Sequence, residues 1–230
     1  MRLLILRLEG PLQSWGERSK WDNRDSALMP TKSGVIGIIA CCMGVPRDDE
    51  RMLELHQKLR IAVRADMPGR LGVDYHTVSA ECLLTAEGKP RKKEKGKDES
   101  TIISKRQYLQ DASFLAVVSS TDEDLLDSVE YSLRHPKWVA YLGRKSCVPT
   151  YPLIPVVTDE FDSMEQAIND LPFAERTEPE RLSFRAEIED PAGIYTRGDS
   201  LVSVDRHFSI RRVNYHTVRR REDVSLQIDA

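Results

Sequence analysis

Val35 to Val45 is a run of eleven residues without a charge, and it limits the folds open to this chain. It is too short to cross a bilayer, which takes roughly 20 apolar residues. It is too apolar to lie in water. A buried helix satisfies both limits. Ser33 can cap such a helix from about Gly34 to Met43, and Gly44 can stop it. Gly34 and Gly37 allow it to pack closely on a sheet, with Cys41 and Cys42 as small filler.

The residues just before this helix, Thr31 to Gly34, suggest phosphate chemistry. A P-loop places its glycines before the Lys-Ser pair; here Lys32 and Ser33 precede Gly34, so the Walker pattern is missing. A helix start still offers free N–H groups and partial positive charge. Lys32 and Ser33 are therefore expected to hold one backbone phosphate, and Lys32→Glu to weaken that binding without unfolding the protein.

Around the helix the apolar pattern alternates between strand and helix periods. Leu3 to Leu8 reads as a strand ended by Gly10-Pro11. Residues 13 to 29 read as a long loop or irregular hairpin carrying Trp15, Trp21, Arg18 and Arg24. A helix over 50–58, a strand over 59–64 and strands near 75–84 and 102–109 follow, the last two forming a long hairpin. Ala112 to Val118 continues as strand, and Thr121 caps a helix to Arg134. Trp138 to Leu142 reads as a short strand. Pro149, Pro152 and Pro155 mark an irregular linker, before an acidic helix near 163–170 and strands near 181–189 and 201–219. The expected fold is α+β: a ferredoxin-like or RRM-like domain over residues 1–150, with helices on one face of an antiparallel sheet, and a smaller β-rich region over 151–230. The open face of such a sheet often meets RNA.

The distribution of charge supports a nucleic-acid partner more than the total does. The net charge is −3, but Lys89 to Lys97 holds six basic residues against Glu94. Asp205 to Arg221 holds six arginines and two histidines against one aspartate. Such segregation gives a basic surface on a mildly acidic protein. Arginines hold phosphates and aromatic rings stack bases. Tyr75-His76 is expected to face Arg106 and Tyr108 across the hairpin.

Other chemistry is weakly signalled. The four cysteines, Cys41, Cys42, Cys82 and Cys147, lack metal spacing and read as reduced, small hydrophobes, so no metal or cofactor is expected. No signal peptide or spanning segment is visible, which points to the cytoplasm and away from membranes. A metal-independent ribonuclease needs a base and a charge stabiliser. Tyr75, His76 and Lys105 could supply that set, with His207 and His216 as further candidates, although the histidines show no motif spacing.

Five segments occur together in order: "LILRLEGPLQSWG" (4–16), "PTKSGVIGIIACCMGVPRDD" (30–49), "DYHTV" (74–78), "RQYLQDASF" (106–114) and "YLGRKSCVPTYPL" (141–153). They resemble the Cas-five family of repeat-associated RNA-binding proteins, as found in type I-E CRISPR Cascade complexes. The match thins after Pro155, to a basic strand like "RHFSIRRVNYHTV". The resemblance implies a non-catalytic subunit that holds the 5′ handle of the CRISPR RNA and caps the backbone. Its partners would be the backbone subunit and the large subunit, with target DNA met indirectly through the complex. The hairpin tip becomes a thumb over about residues 83–104, with Lys89, Arg91, Lys92 and Lys93 on it. The family's glycine-rich loop maps onto Leu142 to Ser146, beside the RNA. The RNA-contacting residues expected are Lys32, Ser33, Arg106, Arg144 and Lys145, with Tyr75, His76, Tyr108 and Trp15 for stacking or contact and Arg18 and Arg24 beside them. Homologues in type I-C systems cut the precursor RNA, so an endoribonuclease is the alternative.

Overall fold

The structure, a computed structural model, describes residues 1–18, 22–85, 88–90, 100–203, 205 and 207–220. The elements run β1 (Leu3–Gln13), β2 (Asn23–Arg24), α1 (Lys32–Met43), α2 (Arg51–Lys58), β3 (Arg60–Met67), β4 (Arg70–Ala80), β5 (Ser100–Ser119), α3 (Glu123–Arg134), β6 (Val156–Thr158), α4 (Met164–Asp170), β7 (Ser183–Glu189), β8 (Tyr195–Leu201) and β9 (Phe208–Arg219).

Among the described residues the strands join one nine-stranded sheet, in the path β6-β1-β5-β3-β7-β9-β8, with β2 and β4 paired to β5. Within it, β1-α1-β3-β5-α3-β6 is a βαββαβ unit, the ferredoxin-like core expected from the sequence. The boundary expected near residue 150 falls in an irregular stretch. The strands after it extend the same sheet, because β7 pairs with β3 from Ala62↔Ile188 to Arg64↔Ala186.

Alternation along the central strands builds two cores. Leu4, Leu6 and Leu8, Ile61 and Val63, and Phe114, Ala116 and Val118 face α1, α2 and α3. Leu3 and Ile5, Ala62, and Leu115 and Val117 face the other way, against Met164, Ala167 and Ile168 of α4. The sheet therefore carries helices on both faces, not one. Arg64 is fully buried on this second face. Its guanidinium donates to Ile168 O and, at 2.8 Å, to Pro172 O, and it pairs with Asp66 at 2.6 Å, so it closes the C-terminal end of α4. The open sheet face expected to meet RNA is thus filled at the centre of the molecule.

Several boundaries moved for local reasons. Thr31, not Ser33, caps α1, its hydroxyl accepting from Gly34 N at 3.1 Å. Asp122, not Thr121, caps α3, accepting from Leu125 N at 3.0 Å. β1 runs through Gly10-Pro11 to Gln13. β6 pairs only with Leu3–Ile5, so at Pro11 one edge of β1 carries no strand and the missing N–H costs no ladder bond. Trp138 to Leu142 is irregular. Leu142 N donates to Cys147 O at 2.8 Å, so the stretch closes a loop instead of pairing. β8 precedes the expected 201–219 strand and shares only Leu201 with it, and β9 begins at Phe208; the Gly198-Asp199 of β8 reads as turn chemistry in sequence.

β5 belongs to two structures. Its lower half lies between β1 and β3, and its upper half pairs with β4 from Arg70↔Gln110 to Ala80↔Ser100. This is the expected long hairpin, beginning earlier than residue 75. The two halves meet at Asp111, which has φ of 54°. Leu109 and Ala112 both face the helix-side core, so the alternation along β5 inverts there, although its register against β1 runs on unshifted from Gly10↔Ala112 to Leu12↔Gln110. Among the described residues no helix is long and apolar enough to cross a membrane.

Candidate nucleic-acid interface

A cavity of about 790 Å³ runs along the outer flank of α1. Its walls come from the 14–17 loop, the 138–144 loop, α2, and the β8–β9 end. Two glycines set this assembly. At Gly34 a Cβ would stand 2.7 Å from Trp15 Cε3, so the indole packs directly on the helix backbone. At Gly143, with φ of 90°, a Cβ would stand 1.7 Å from Ser14 O. Only glycine fits both that backbone and that approach. Further along the flank, Gly37 and, on β8, Gly198 have open space where a Cβ would be. A ligand can therefore come close to the main chain on both walls.

Arg144 ties the walls together. It donates to Gln107 O and Arg24 O, both at 3.0 Å, and its guanidinium lies 4.6 Å from the centre of the Tyr108 ring. Arg47, Trp138, Tyr141 and Phe208 complete the rim. Trp138 and Phe208 are 44% and 41% exposed. None of these four stood out in the sequence. The cue was aromatic residues beside "LGRK", hidden because the stretch alternates like a strand.

Beneath this groove lies a buried charge network. Arg211 donates to Glu187 and Asp199, each at 2.6 Å, and Arg197 donates to Glu187 at 2.9 Å. Lys32 Nζ donates to Glu189 at 2.7 Å, and Lys32 N donates to Asp199 at 2.8 Å. Burial raises the Asp199 carboxyl pKa, but the Arg211 hydrogen bonds and charge outweigh it and hold the group below the usual range. His56 is buried beside Lys32. Burial first, then the lysine charge, pushes its pKa down to about 4, so it is neutral at pH 7 and its Nδ1 accepts from Leu201 N at 3.2 Å.

This network corrects one expectation. Lys32 is 3% exposed, and its ammonium is committed to Glu189. The anion at the start of α1 is the protein's own Asp199. Lys32→Glu would set three carboxylates together in the interior, so it disturbs folding rather than testing phosphate binding. Ser33 lines the groove, and its hydroxyl sits 3.3 Å from Thr31 Oγ1.

The other expected residues divide. Arg24 and Arg144 line the groove. Trp15 also reaches it, but it is 1% exposed and donates to Gln13 Oε1 at 3.1 Å; it anchors the loop and offers no face for stacking. Lys145 and Arg18 are exposed. Tyr108 lies under Arg144, and Arg106 donates to Ser104 Oγ at 3.1 Å. On the hairpin Tyr75 pairs with Lys105 and His76 with Ser104, not with Arg106 and Tyr108. Paired residues share a face and successive residues alternate. His76 is therefore on the face opposite Tyr75 and Lys105, and the ribonuclease trio does not converge. His207 contacts Ser203 Oγ at 3.0 Å, and His216 stands 3.5 Å from Glu165 beside α4. Lys89 is exposed; Arg91, Lys92, Lys93 and Trp21 lie outside the described residues. The C-terminal basic stretch is partly turned inward, since Arg211 is buried and Arg220 donates to Glu178 O at 3.0 Å. Among the described residues no group of three or more His, Cys, Asp or Glu is placed to hold a metal.

Comparison with known proteins places this architecture. The family model for CRISPR-associated Cas5 proteins matches residues 3–214. The chain is 30% identical to "CRISPR system Cascade subunit CasD" of Escherichia coli (strain K12) over 240 aligned positions, covering 96% of this chain and 98% of that protein. Among solved structures it is similar to a chain of a "CRISPR RNA-guided surveillance complex", with a TM-score of 0.75 at 31% identity over 94% of this chain and 90% of that one. A "Crystal structure of Cas protein" gives a TM-score of 0.71 at 30% identity, over 94% and 95% of the two chains.

Proposed function

The chain belongs to the CRISPR-associated Cas5 family, and from that membership we propose that it is a guide-RNA-binding subunit of a Cascade-type surveillance complex. Its groove grips the 5′ handle of the CRISPR RNA. The observation that carries this reading is the groove beside α1: two walls open to the main chain at Gly37 and Gly198, with exposed Trp138 and Phe208 and with Arg24 and Arg47 at the rim. Close backbone walls suit a sugar-phosphate chain, and exposed rings suit unpaired bases. Sequence-specific targeting is then left to base pairing by the guide, while the protein holds a fixed segment.

The upper hairpin supports a protein partner. Leu71, Val73, Tyr75 and Ile103 lie on one of its faces and are 48–62% exposed. An apolar stripe on an extended ribbon fits a neighbouring subunit, here the backbone subunit that the thumb would wedge against. The large subunit would be the second protein partner, and target DNA would be met through the complex. The separation of His76 from Tyr75 and Lys105 supports a non-catalytic subunit.

The test is binding of labelled handle RNA by the full chain. Trp138→Ala with Arg47→Ala should weaken it about tenfold or more, the sum of one stacking and one phosphate contact. Unchanged binding would place the handle elsewhere. In the same tubes, metal-free incubation with repeat RNA should give no handle-length product; a product lost in His76→Ala would replace this reading with the endoribonuclease.

A further inference from the structure

The outer strands carry a second surface that the groove does not include. A cavity of about 530 Å³ lies over β7 and β9, with Arg181, Arg185, Tyr195, Tyr215 and His216 around it. It shares no lining residue with the groove. Ser183 pairs with Arg219 and Arg185 with Thr217. Phe184, Ala186 and Val218, which alternate with them, point into the second core. Strand alternation therefore puts Ser183, Arg185, Tyr215, Thr217 and Arg219 on the opposite face, with Tyr195 of β8 beside them.

The composition of that face is selective. It presents two tyrosines, two arginines and two hydroxyls. The Arg185 guanidinium lies 4.6 Å from the centre of the Tyr215 ring, and the Tyr195 and Tyr215 rings are 5.0 Å apart. Tyr195 is 52% exposed. The carboxylates that continue β7 on this face, Glu187 and Glu189, are taken up by Arg197, Arg211 and Lys32. Among the described residues Arg185 and Arg219 thus have no carboxylate partner, and the lining of the cavity has none either. A protein partner would need acidic groups to meet these arginines and would gain little from a hydroxyl-bearing, weakly apolar face. A single nucleic-acid strand offers both a phosphate for each arginine and a base for the exposed ring.

We propose that the β7–β9–β8 face is a second binding platform, which stacks a base on Tyr195 and holds phosphates of a single-stranded nucleic acid with Arg185 and Arg219. The strand could be guide RNA beyond the handle or an unpaired strand of target DNA; both share this chemistry. It is independent of the groove, so the two fail separately.

The experiment uses the full chain and fluorescence anisotropy with 15-nucleotide oligo-U and oligo-dT, which lack handle sequence. Arg185→Ala with Tyr195→Ala should weaken binding about tenfold or more. The Arg185→Ala single variant should lower the slope of log affinity against log salt by about 0.7, the value for one phosphate on a single strand. The loss caused by Arg185→Ala with Tyr195→Ala should be the same in a chain that already carries Trp138→Ala and Arg47→Ala, because separate sites add. Tyr195→Phe should bind like the parent, because stacking needs only the ring. Stronger loss with oligo-U supports guide RNA as the source, and stronger loss with oligo-dT supports target DNA. The platform is overturned if the double variant binds both oligonucleotides like the parent. It is overturned equally if Tyr195→Phe loses as much as Tyr195→Ala, or if the double variant fails only in assembly with protein subunits.

Discussion

The centre of the sheet and its outer end are held to the same helix layer by opposite means. At the β1–β5–β3 centre, the strands meet α1 through Leu6, Ile61, Phe114 and their neighbours, all apolar and buried. At the β7–β9–β8 end, the strands meet the start of α1 through Lys32, Glu187, Glu189, Asp199, Arg197 and Arg211. Apolar packing tolerates small shifts, since it has no direction. Buried ion pairs do not, since each lost partner leaves a charge in a poor solvent. The centre supplies stability. The outer end fixes where β8 and Asp199 stand, and hence the shape of one groove wall.

The sharpest way to break this contrast is Arg211→Ala. It takes the shortest ion-pair partner from both Asp199 and Glu187, leaving them Arg197 and the Lys32 N–H, and should cost about 3–5 kcal/mol in denaturant unfolding. Phe114→Ala, in the apolar centre, should cost a similar about 3–5 kcal/mol through its cavity. The two should differ in the native state that remains: Arg211→Ala should also loosen handle binding, while Phe114→Ala should not. Equal handle affinity in both would dissolve the distinction.

Acid gives the next effect. His56 titrates near 6.5 when unfolded and at about 4 when folded. Above pH 6.5 both states are neutral and its contribution is complete. As the pH falls from 6.5 toward 4 the unfolded chain takes up the proton first, so stability is lost over that window, by about 3 kcal/mol in total. His56→Gln should flatten that part of the pH–stability curve. A curve of the same slope in the variant would assign the acid sensitivity to other groups.

Smaller still is the Lys32–Glu189 pair, whose carboxylate is partly open to water. Lys32→Met should cost about 2 kcal/mol. Lys32→Met with Glu189→Leu should return to within about 1 kcal/mol of the parent, because a matched apolar pair replaces a matched ionic one. A double variant as unstable as the single would mean that the pair sets geometry and not merely charge balance.

The legible parts of this chain were those with local causes. The helix-strand order around Val35–Val45, the long hairpin and the ferredoxin-like core follow from periodicity and turn residues near each element. The groove was half legible: Arg24, Arg144 and Ser33 reach it, and Gly143 and Arg144 of the 142–146 loop form part of its wall. The misreadings came from distance. Nothing near Lys32 in sequence shows that Glu189 and Asp199, more than 150 positions away, fold onto it. Trp15 looked like a free ring because its partner, the bare backbone at Gly34, lies across a loop. β8 was missed since its glycine and aspartate serve a wall and a network, not a turn.

Because β5 inverts its alternation at Asp111, that residue acts as a phase mark between the core half of the strand and its hairpin half. Side chains above it are assigned to faces by counting from 111, and those below by counting from the core. Removing this one residue would turn the hairpin half of β5, Ile103 and Lys105 included, to the other face relative to its core half. The hairpin's exposed side chains can therefore be exchanged without disturbing the core, provided the count at Asp111 is kept.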